Sequence, residues 1–181
     1  MLRGRLITLR PVRAADLDEL YGHHIEIANR GAFFPLGVES EPGFQKRFQE
    51  DGFWSRDDGM LVVLDGSDRI VGHIEFFRAV PYWDAFELSY QLYDEADAGR
   101  GYTTEAVQLV VDYLFDSKQR HRIHLVIVPE NAASRRIAEK CGFTLEGTLR
   151  EPFFHRGRNV DIVMYSILRT DPRPWHDAGQ G

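Results

Sequence analysis

Apolar and polar positions alternate over residues 6–10 in the β manner, and Pro11 interrupts the run. Asp16 followed by Glu19 forms a capping-box variant that predicts a helix from there to about Ala28, with Leu17, Leu20, Tyr21 and Ile25 as its buried stripe. The Phe, Pro and Gly content of residues 31–43 predicts an irregular loop, and residues 44–54 read as a second helix with aromatics on one side. Two apolar, β-branched runs, 60–64 and 69–77, flank Asp65-Gly66-Ser67-Asp68, whose small polar residues favour a tight turn; together they predict a hairpin. Residues 86–93 set Phe86, Leu88, Tyr90 and Leu92 against Glu87, Ser89 and Gln91, a strand with one face in the core and Glu87 pointing away from it.

After a turn at 97–101, residues 103–115 place Val107, Val110, Val111 and Leu114 at helical spacing beneath the polar face of Glu105, Gln108 and Asp112. A strand follows at 123–128. Pro129-Glu130-Asn131 then opens another helix with Asn131 as N-cap, and Gly142 sits where a left-handed cap would end it. Residues 143–149 and 160–168 read as two last strands separated by a loop over 150–159. The tail 170–181, with Pro172 and Pro174, is expected to fray. This order predicts one α/β domain over residues 1–169, a mixed sheet with helices on both faces, without internal repeats.

Composition narrows the partners. With 181 residues, 43% hydrophobic and 28% charged, the chain suits a single globular core. A net charge of -6 offers no positive field for a nucleic-acid backbone and is mildly favourable to a cationic amine. The single cysteine, Cys141, excludes an internal disulfide and fits a reducing, cytoplasmic setting. The first ten residues interleave three arginines with apolar residues, so no signal peptide is expected, and no apolar run suggests a membrane span. His23 with His24, and His121 with His124, lack an acid at zinc-site spacing, and no metal is expected.

The segment that suggests chemistry is Ala98-Gly99-Arg100-Gly101-Tyr102-Thr103-Thr104, between a strand and a strongly amphipathic helix. Two glycines allow a tight turn, so that successive N–H groups and the helix dipole converge on one point suited to a pyrophosphate. The Gly-Lys-Ser/Thr ending of a P-loop is missing. A dinucleotide site of the Gly-x-Gly-x-x-Gly type stays open, with Thr104 in place of its third glycine and Glu130 as its ribose acid, as does a loop that only turns the chain.

Downstream and upstream motifs add to this segment: Glu87-Leu88-Ser89-Tyr90, Gly99 to Ala106, Pro129-Glu130-Asn131-Ala132-Ala133-Ser134-Arg135-Arg136, and Glu139-Lys140-Cys141-Gly142-Phe143, with Leu9-Arg10-Pro11 near the start and Asp161 to Tyr165 near the end. In these the chain resembles the GNAT N-acetyltransferase superfamily, in particular its RimJ/RimL-like, ribosomal-protein-alanine acetyltransferase branch. The family's Q/R-x-x-G-x-G/A pattern falls on Ala98 and Thr103 at its ends, and neither matches. The resemblance implies an α/β fold with a mixed, mostly antiparallel central sheet of about seven strands, helices on both faces, and members that are often dimers.

It also implies acetyl-CoA as co-substrate and direct transfer to a primary amine, either a protein N-terminal residue or a small amine such as an amino acid, polyamine or antibiotic. A non-catalytic acyl-CoA-binding module on the same fold is the alternative. The family's pantetheine and carbonyl-polarising amides fall on Leu92 and Tyr93, its pyrophosphate loop on residues 98–104, its pantetheine-contacting Asn on Asn131, and its thiolate-protonating Ser on Ser134. Asn131 and Ser134 equally suit a plain N-cap. Glu87 matches the central-strand acid of many relatives and is the first choice of base, ahead of Glu151 and His155; the branch's own loop Glu aligns with Phe153. An exposed strand Glu is also an ordinary solvated residue. Phe33, Phe34, Tyr82, Trp83, Phe153 and Phe154 fall in predicted loops, where they would line an acceptor pocket or a satellite core. Cys141, at a predicted helix C-terminus, reads as packing rather than as a nucleophile.

Overall fold

The computed structural model describes residues 1–177. Its elements run β1 (Leu2–Arg3), β2 (Thr8–Pro11), α1 (Leu17–Ile25), α2 (Glu41–Asp51), β3 (Asp58–Leu64), β4 (Ile70–Phe77), β5 (Ala85–Leu92), α3 (Tyr102–Ser117), β6 (Arg122–Ile127), α4 (Ala132–Lys140), β7 (Thr144–His155), β8 (Arg158–Leu168) and α5 (Pro174–Asp177). One sheet of eight strands, ordered β1-β2-β3-β4-β5-β6-β8-β7, is the mostly antiparallel sheet of about seven strands expected, with the two-residue β1 paired to β2 at its edge. Every neighbouring pair is antiparallel except β5 and β6, which α3 connects in parallel.

Alternation along the strands sends one set of side chains to each face. Phe76, Phe86, Leu88, Ile123 and Leu125 bury against Val107, Val110, Val111 and Leu114 of α3. Val62, Leu64, Ile70 and Tyr93 close on Leu20 of α1 and Phe44 of α2. Each such apolar side chain contributes about 1.5–3 kcal/mol when fully buried.

Four expectations need correction. Residues 150–159 are not a loop: β7 and β8 form one long hairpin turning at Arg156-Gly157, with φ of 47° and 85°. Two consecutive left-handed residues are what a tight hairpin turn needs, and Arg-Gly supplies them less recognisably than Asn-Gly. Helix α2 begins at Glu41 rather than Phe44, because the Ser40 hydroxyl accepts from Gly43 N at 3.3 Å with Pro42 in the first turn, and it ends where Gly52 turns left-handed at φ 70°. Helix α1 stops at Ile25, which is 45% exposed rather than buried. Asp16 does not form a capping box with Glu19: its carboxylate takes two bonds from Arg10, at 2.6 and 2.9 Å, and one from Arg13 N at 2.7 Å.

The tail does not fray as far as it is described. Asp112 on α3 accepts from Arg173 Nη1 at 2.6 Å and Trp175 Nε1 at 2.8 Å, with His176 Nε2 at 3.0 Å, and these contacts dock α5. The last positions of the expected tail, 178–181, lie outside the described residues.

Candidate active site

The site begins where the sheet parts. Strands β5 and β6 pair only over Ala85–Glu87 with Arg122–His124, while β6 continues along β8 to Ile127. Past Glu87 the two strands diverge and leave a gap. Tyr93 N donates to Val71 O at 3.0 Å, so this amide belongs to the β4 ladder and is not free for a ligand as expected. Antiparallel alternation then turns the amides of Leu92 and Tyr90 to the opposite edge, toward the gap.

A cleft of about 1090 Å³ passes through this gap. On the α3–α4 face it is lined by Leu92, Tyr90, Asn131 and Ser134, and on the α1–α2 face by Glu87, Gln91, Phe34 and Phe153. Two ligands entering from opposite sides of the sheet therefore meet between the strands.

On the first side, Gly99 (φ 77°) and Gly101 (φ 88°) are both left-handed, and α3 starts immediately after them. The first internal bond of the helix runs from Glu105 N to Gly101 O at 3.0 Å, so the amides of Tyr102, Thr103 and Thr104 have no acceptor within the helix. Ala98 and Thr103 line the cleft itself. Two carboxylates that the sequence reading missed hold this loop. Asp97, its side chain 3% exposed, is gripped by Arg69 through bonds of 3.0 and 2.8 Å, with Arg100 at 3.8 Å. The Arg69 guanidinium keeps the Asp97 carboxyl below its ordinary range. Glu105 accepts from Arg5, Leu6 and Ile7 N at 2.7, 2.8 and 3.0 Å and fastens the N-terminal segment to the first turn of α3.

Asn131 is the N-cap of α4, its Oδ1 accepting from Ser134 N at 3.1 Å. Beside Ser134, and within its influence, lies the buried hydroxyl of Tyr90. Burial pushes its pKa up to about 12. The apolar alternation of β5 marked Tyr90 only as core, so its polar end went unread. Two neighbouring hydroxyls, of Tyr90 and Ser134, in a cleft that also reaches the N-terminus of α3, fit a long ligand with an anionic end.

On the second side, Glu87 Oε2 stands 3.3 Å from His124 Nε2, with the two side chains 20% and 2% exposed. Trp83 meets the His124 ring edge-on at 5.8 Å and 72°. Glu87 is thus a held residue rather than a solvated one. Phe33, Phe34 and Phe153 line the cleft, whereas Trp83 lies outside its wall and Phe154 is 70% exposed. The two reserve bases are elsewhere: His155 is buried with Nε2 on Ala32 O at 2.7 Å, and Glu151 is an exposed bulge residue with φ 54°. Cys141 is fully buried at the end of α4, and burial pushes its thiol up to about 12. Among the described residues no group of His, Cys, Asp and Glu could hold a metal, and no helix is long and apolar enough to cross a membrane.

Residues 6–144 match the acetyltransferase (GNAT) domain family. The chain belongs to the GNAT acetyltransferases. Among its GNAT relatives is the probable N-acetyltransferase YjcK of Bacillus subtilis, 31% identical over 94% of this chain and 98% of that protein. The spermidine N(1)-acetyltransferase of Vibrio cholerae is 29% identical over 91% of this chain and 94% of its own. The solved structure of RimL, a ribosomal alpha-N-protein acetyltransferase in complex with coenzyme A, superposes with a TM-score of 0.79 at 20% identity, covering 91% of this chain and 95% of the other. This GNAT chain is therefore an enzyme of the N-acetyltransferase class, on the mostly antiparallel α/β sheet that the family shares.

Proposed function

We propose that the chain moves the acetyl group of acetyl-CoA to a primary amine by direct attack, with both substrates bound across the β5–β6 gap. The observation that carries this reading is the cleft itself, with Ser134 and Tyr90 on one side of the sheet and Glu87 on the other. Acetyl-CoA brings an acyl group activated as a thioester. The backbone of residues 98–104, ahead of α3, holds its pyrophosphate, and Asn131 steadies the pantetheine arm. Tyr93 contributes only its ring to the cleft wall.

The Leu92 amide polarises the carbonyl, a contribution worth roughly 3 kcal/mol where such a donor is preorganised. Glu87, held by His124, takes a proton from the incoming ammonium, directly or through water. As the C–N bond forms and the C–S bond breaks, the second proton that the nitrogen loses passes through the hydroxyls of Ser134 and Tyr90 to the departing sulfur. A serine hydroxyl is a weak acid in water, so it works by position. The buried thiol of Cys141 takes no part, which favours a ternary complex over an acetyl-enzyme.

Phe33, Phe34 and Phe153 form the acceptor wall. Two of the proteins named above are a spermidine and a ribosomal-protein acetyltransferase, and both a small amine and a protein N-terminus present the required nitrogen. The test is release of free thiol from acetyl-CoA against a panel of amines and N-terminal peptides. Thiol release with at least one acceptor is expected, with Ser134→Ala lowering kcat by about a hundredfold or more. Coenzyme binding with no thiol release across the panel would overturn the catalytic reading in favour of a binding module.

A further inference from the structure

Two arginines are buried among the described residues, and they differ in their partners. Arg10, 8% exposed, grips Asp16 through bonds of 2.6 and 2.9 Å. Arg30, 5% exposed, has no carboxylate against it. Its Nη1 donates to Pro35 O at 2.5 Å and its Nη2 to His24 O, with His24 Nδ1 3.2 Å from the same nitrogen. Its Nε has no partner among the described residues. Carbonyl oxygens and a neutral imidazole occupy N–H groups without cancelling the charge. Desolvation accordingly lowers the Arg30 pKa, whereas Asp16, Asp97 and Asp57 raise those of Arg10, Arg69 and Arg120. A buried guanidinium without a counter-ion is costly, and an anion that reaches it offsets part of that cost.

The place of Arg30 in the fold lets a ligand reach it. It ends the short turn Ile27–Arg30 after α1 and lines both the cleft and a neighbouring cavity of about 660 Å³ beneath α2. Phe34 and Gln91 line both spaces too, and the Arg30 guanidinium carbon stands 5.9 Å from the centre of the Phe34 ring. Arg30 therefore belongs to the acceptor side of the sheet. The β7–β8 hairpin pins the residues that follow it, with His155 Nε2 on Ala32 O at 2.7 Å and Arg156 Nη2 donating to Gly31 O at 2.9 Å. A charge fixed before the ligand arrives loses little freedom on binding.

The charged groups around Arg30 leave it available. Glu87 stands against His124 at 3.3 Å, Glu39 is bound by Arg47 through bonds of 3.1, 3.0 and 2.6 Å, and Glu19 acts on His23 and Tyr93. Arg47 and His24, rather than Arg30, act on Glu75. The imidazoles of His24 and His73 are pushed down, first by burial and then by the Arg30 charge, so both are neutral near pH 7 and neither competes for an anion.

We propose that Arg30 receives a carboxylate of the acceptor, so that small amino acids are preferred over amines that lack an acid group. The site rests on the acetyl-transfer reading for its reacting end only. The amine lies at the gap near Glu87, the carboxylate lies at Arg30, and Phe34 covers the carbon between them.

The test pairs glycine, 3-aminopropanoate and 4-aminobutanoate each with its own primary amide, which keeps the shape and removes the charge. Titration calorimetry is expected to show the carboxylate binding at least ~10-fold tighter than the amide at one chain length or more. Arg30→Gln is expected to abolish that preference, and Arg30→Lys to keep part of it. In the thiol-release assay the ratio of kcat/KM for acid over amide is expected to fall by at least ~10-fold in Arg30→Gln, chiefly through KM. No preference at any of the three lengths, or a preference that Arg30→Gln leaves unchanged, overturns the proposal even if the amines are acetylated. Arg30-dependent binding of the acids without thiol release would uphold this site and overturn the transfer reading instead. Should Arg30→Gln fail to fold, the wild-type binding ratio decides alone, and a value near 1 at all three lengths refutes the site.

Discussion

Replacing Gly72 with alanine is expected to destabilise the fold by about 3 kcal/mol or more, lowering Tm by at least ~6 °C. Gly72 pairs with Leu92 across the β4–β5 ladder and with Val63 across β3–β4, where the register shifts by a bulge. A Cβ there would lie 2.1 Å from Gln91 O, 3.1 Å from Gln91 C and 3.2 Å from Leu92 Cα. All three are backbone atoms, so no side chain can swing aside, and relief requires β4 and β5 to separate. That separation would also move the Leu92 amide, so coenzyme binding is expected to weaken with stability. Thermal melting followed by circular dichroism checks the first effect, and a melt within about 2 °C of the unmodified protein would contradict it.

Gly101→Val is expected to raise the Kd for coenzyme A by at least ~10-fold with a smaller loss of stability than Gly72→Ala. Gly101 is the N-cap of α3 with φ 88° and ψ -4°, a region that costs an ordinary residue roughly 1–2 kcal/mol and a β-branched one more. The added Cβ would also press on Leu6 Cδ1 at 3.2 Å. Relaxing this strain rotates the amides that follow, which the proposed function assigns to the pyrophosphate. The loop is otherwise stiff, since Arg69 clamps Asp97 on one side and Glu105 ties down residues 5–7 on the other, so the strain cannot dissipate outward. Calorimetry with coenzyme A measures the loss, and an unchanged Kd would count against the loop as the phosphate site.

The parts legible in the sequence are those with local causes. The turn Asp65–Asp68 joins β3 to β4 because Asp65 Oδ1 accepts from Ser67 N at 3.0 Å and Arg69 N at 3.2 Å, contacts between near neighbours in the chain. Asn131 and Gly142 mark the ends of α4 for the same reason, and the apolar spacing of α3 matches its buried face. The parts that escaped are set by distant partners. Asp112 gave no sign of three donors from the tail, and Asp97 no sign of Arg69, which is 28 residues away.

The candidate site divides along the same line. Motifs singled out Ala98, Thr103, Asn131, Ser134 and Glu87, and the fold brings all five to the wall of one cleft. The place of the Tyr93 amide was not readable in this way, since it depends on Val71 accepting it at 3.0 Å across the sheet. The polar end of Tyr90 was hidden by alternation, which tells which face a residue takes but not whether that face is a dry core or a cavity. His124 likewise carries no signature; it gains meaning only because register places it opposite Glu87.

Coenzyme A is expected to lie along the β5–β6 gap with its diphosphate on the amides preceding and opening α3. A crystal structure of the protein with coenzyme A tests this most directly. The predicted result has the pyrophosphate within hydrogen-bond distance of backbone nitrogens between Gly99 and Thr104, and the sulfur beside Ser134 and Tyr90. A coenzyme bound away from the gap, or with its sulfur remote from Ser134, would rule out acetyl transfer between these strands.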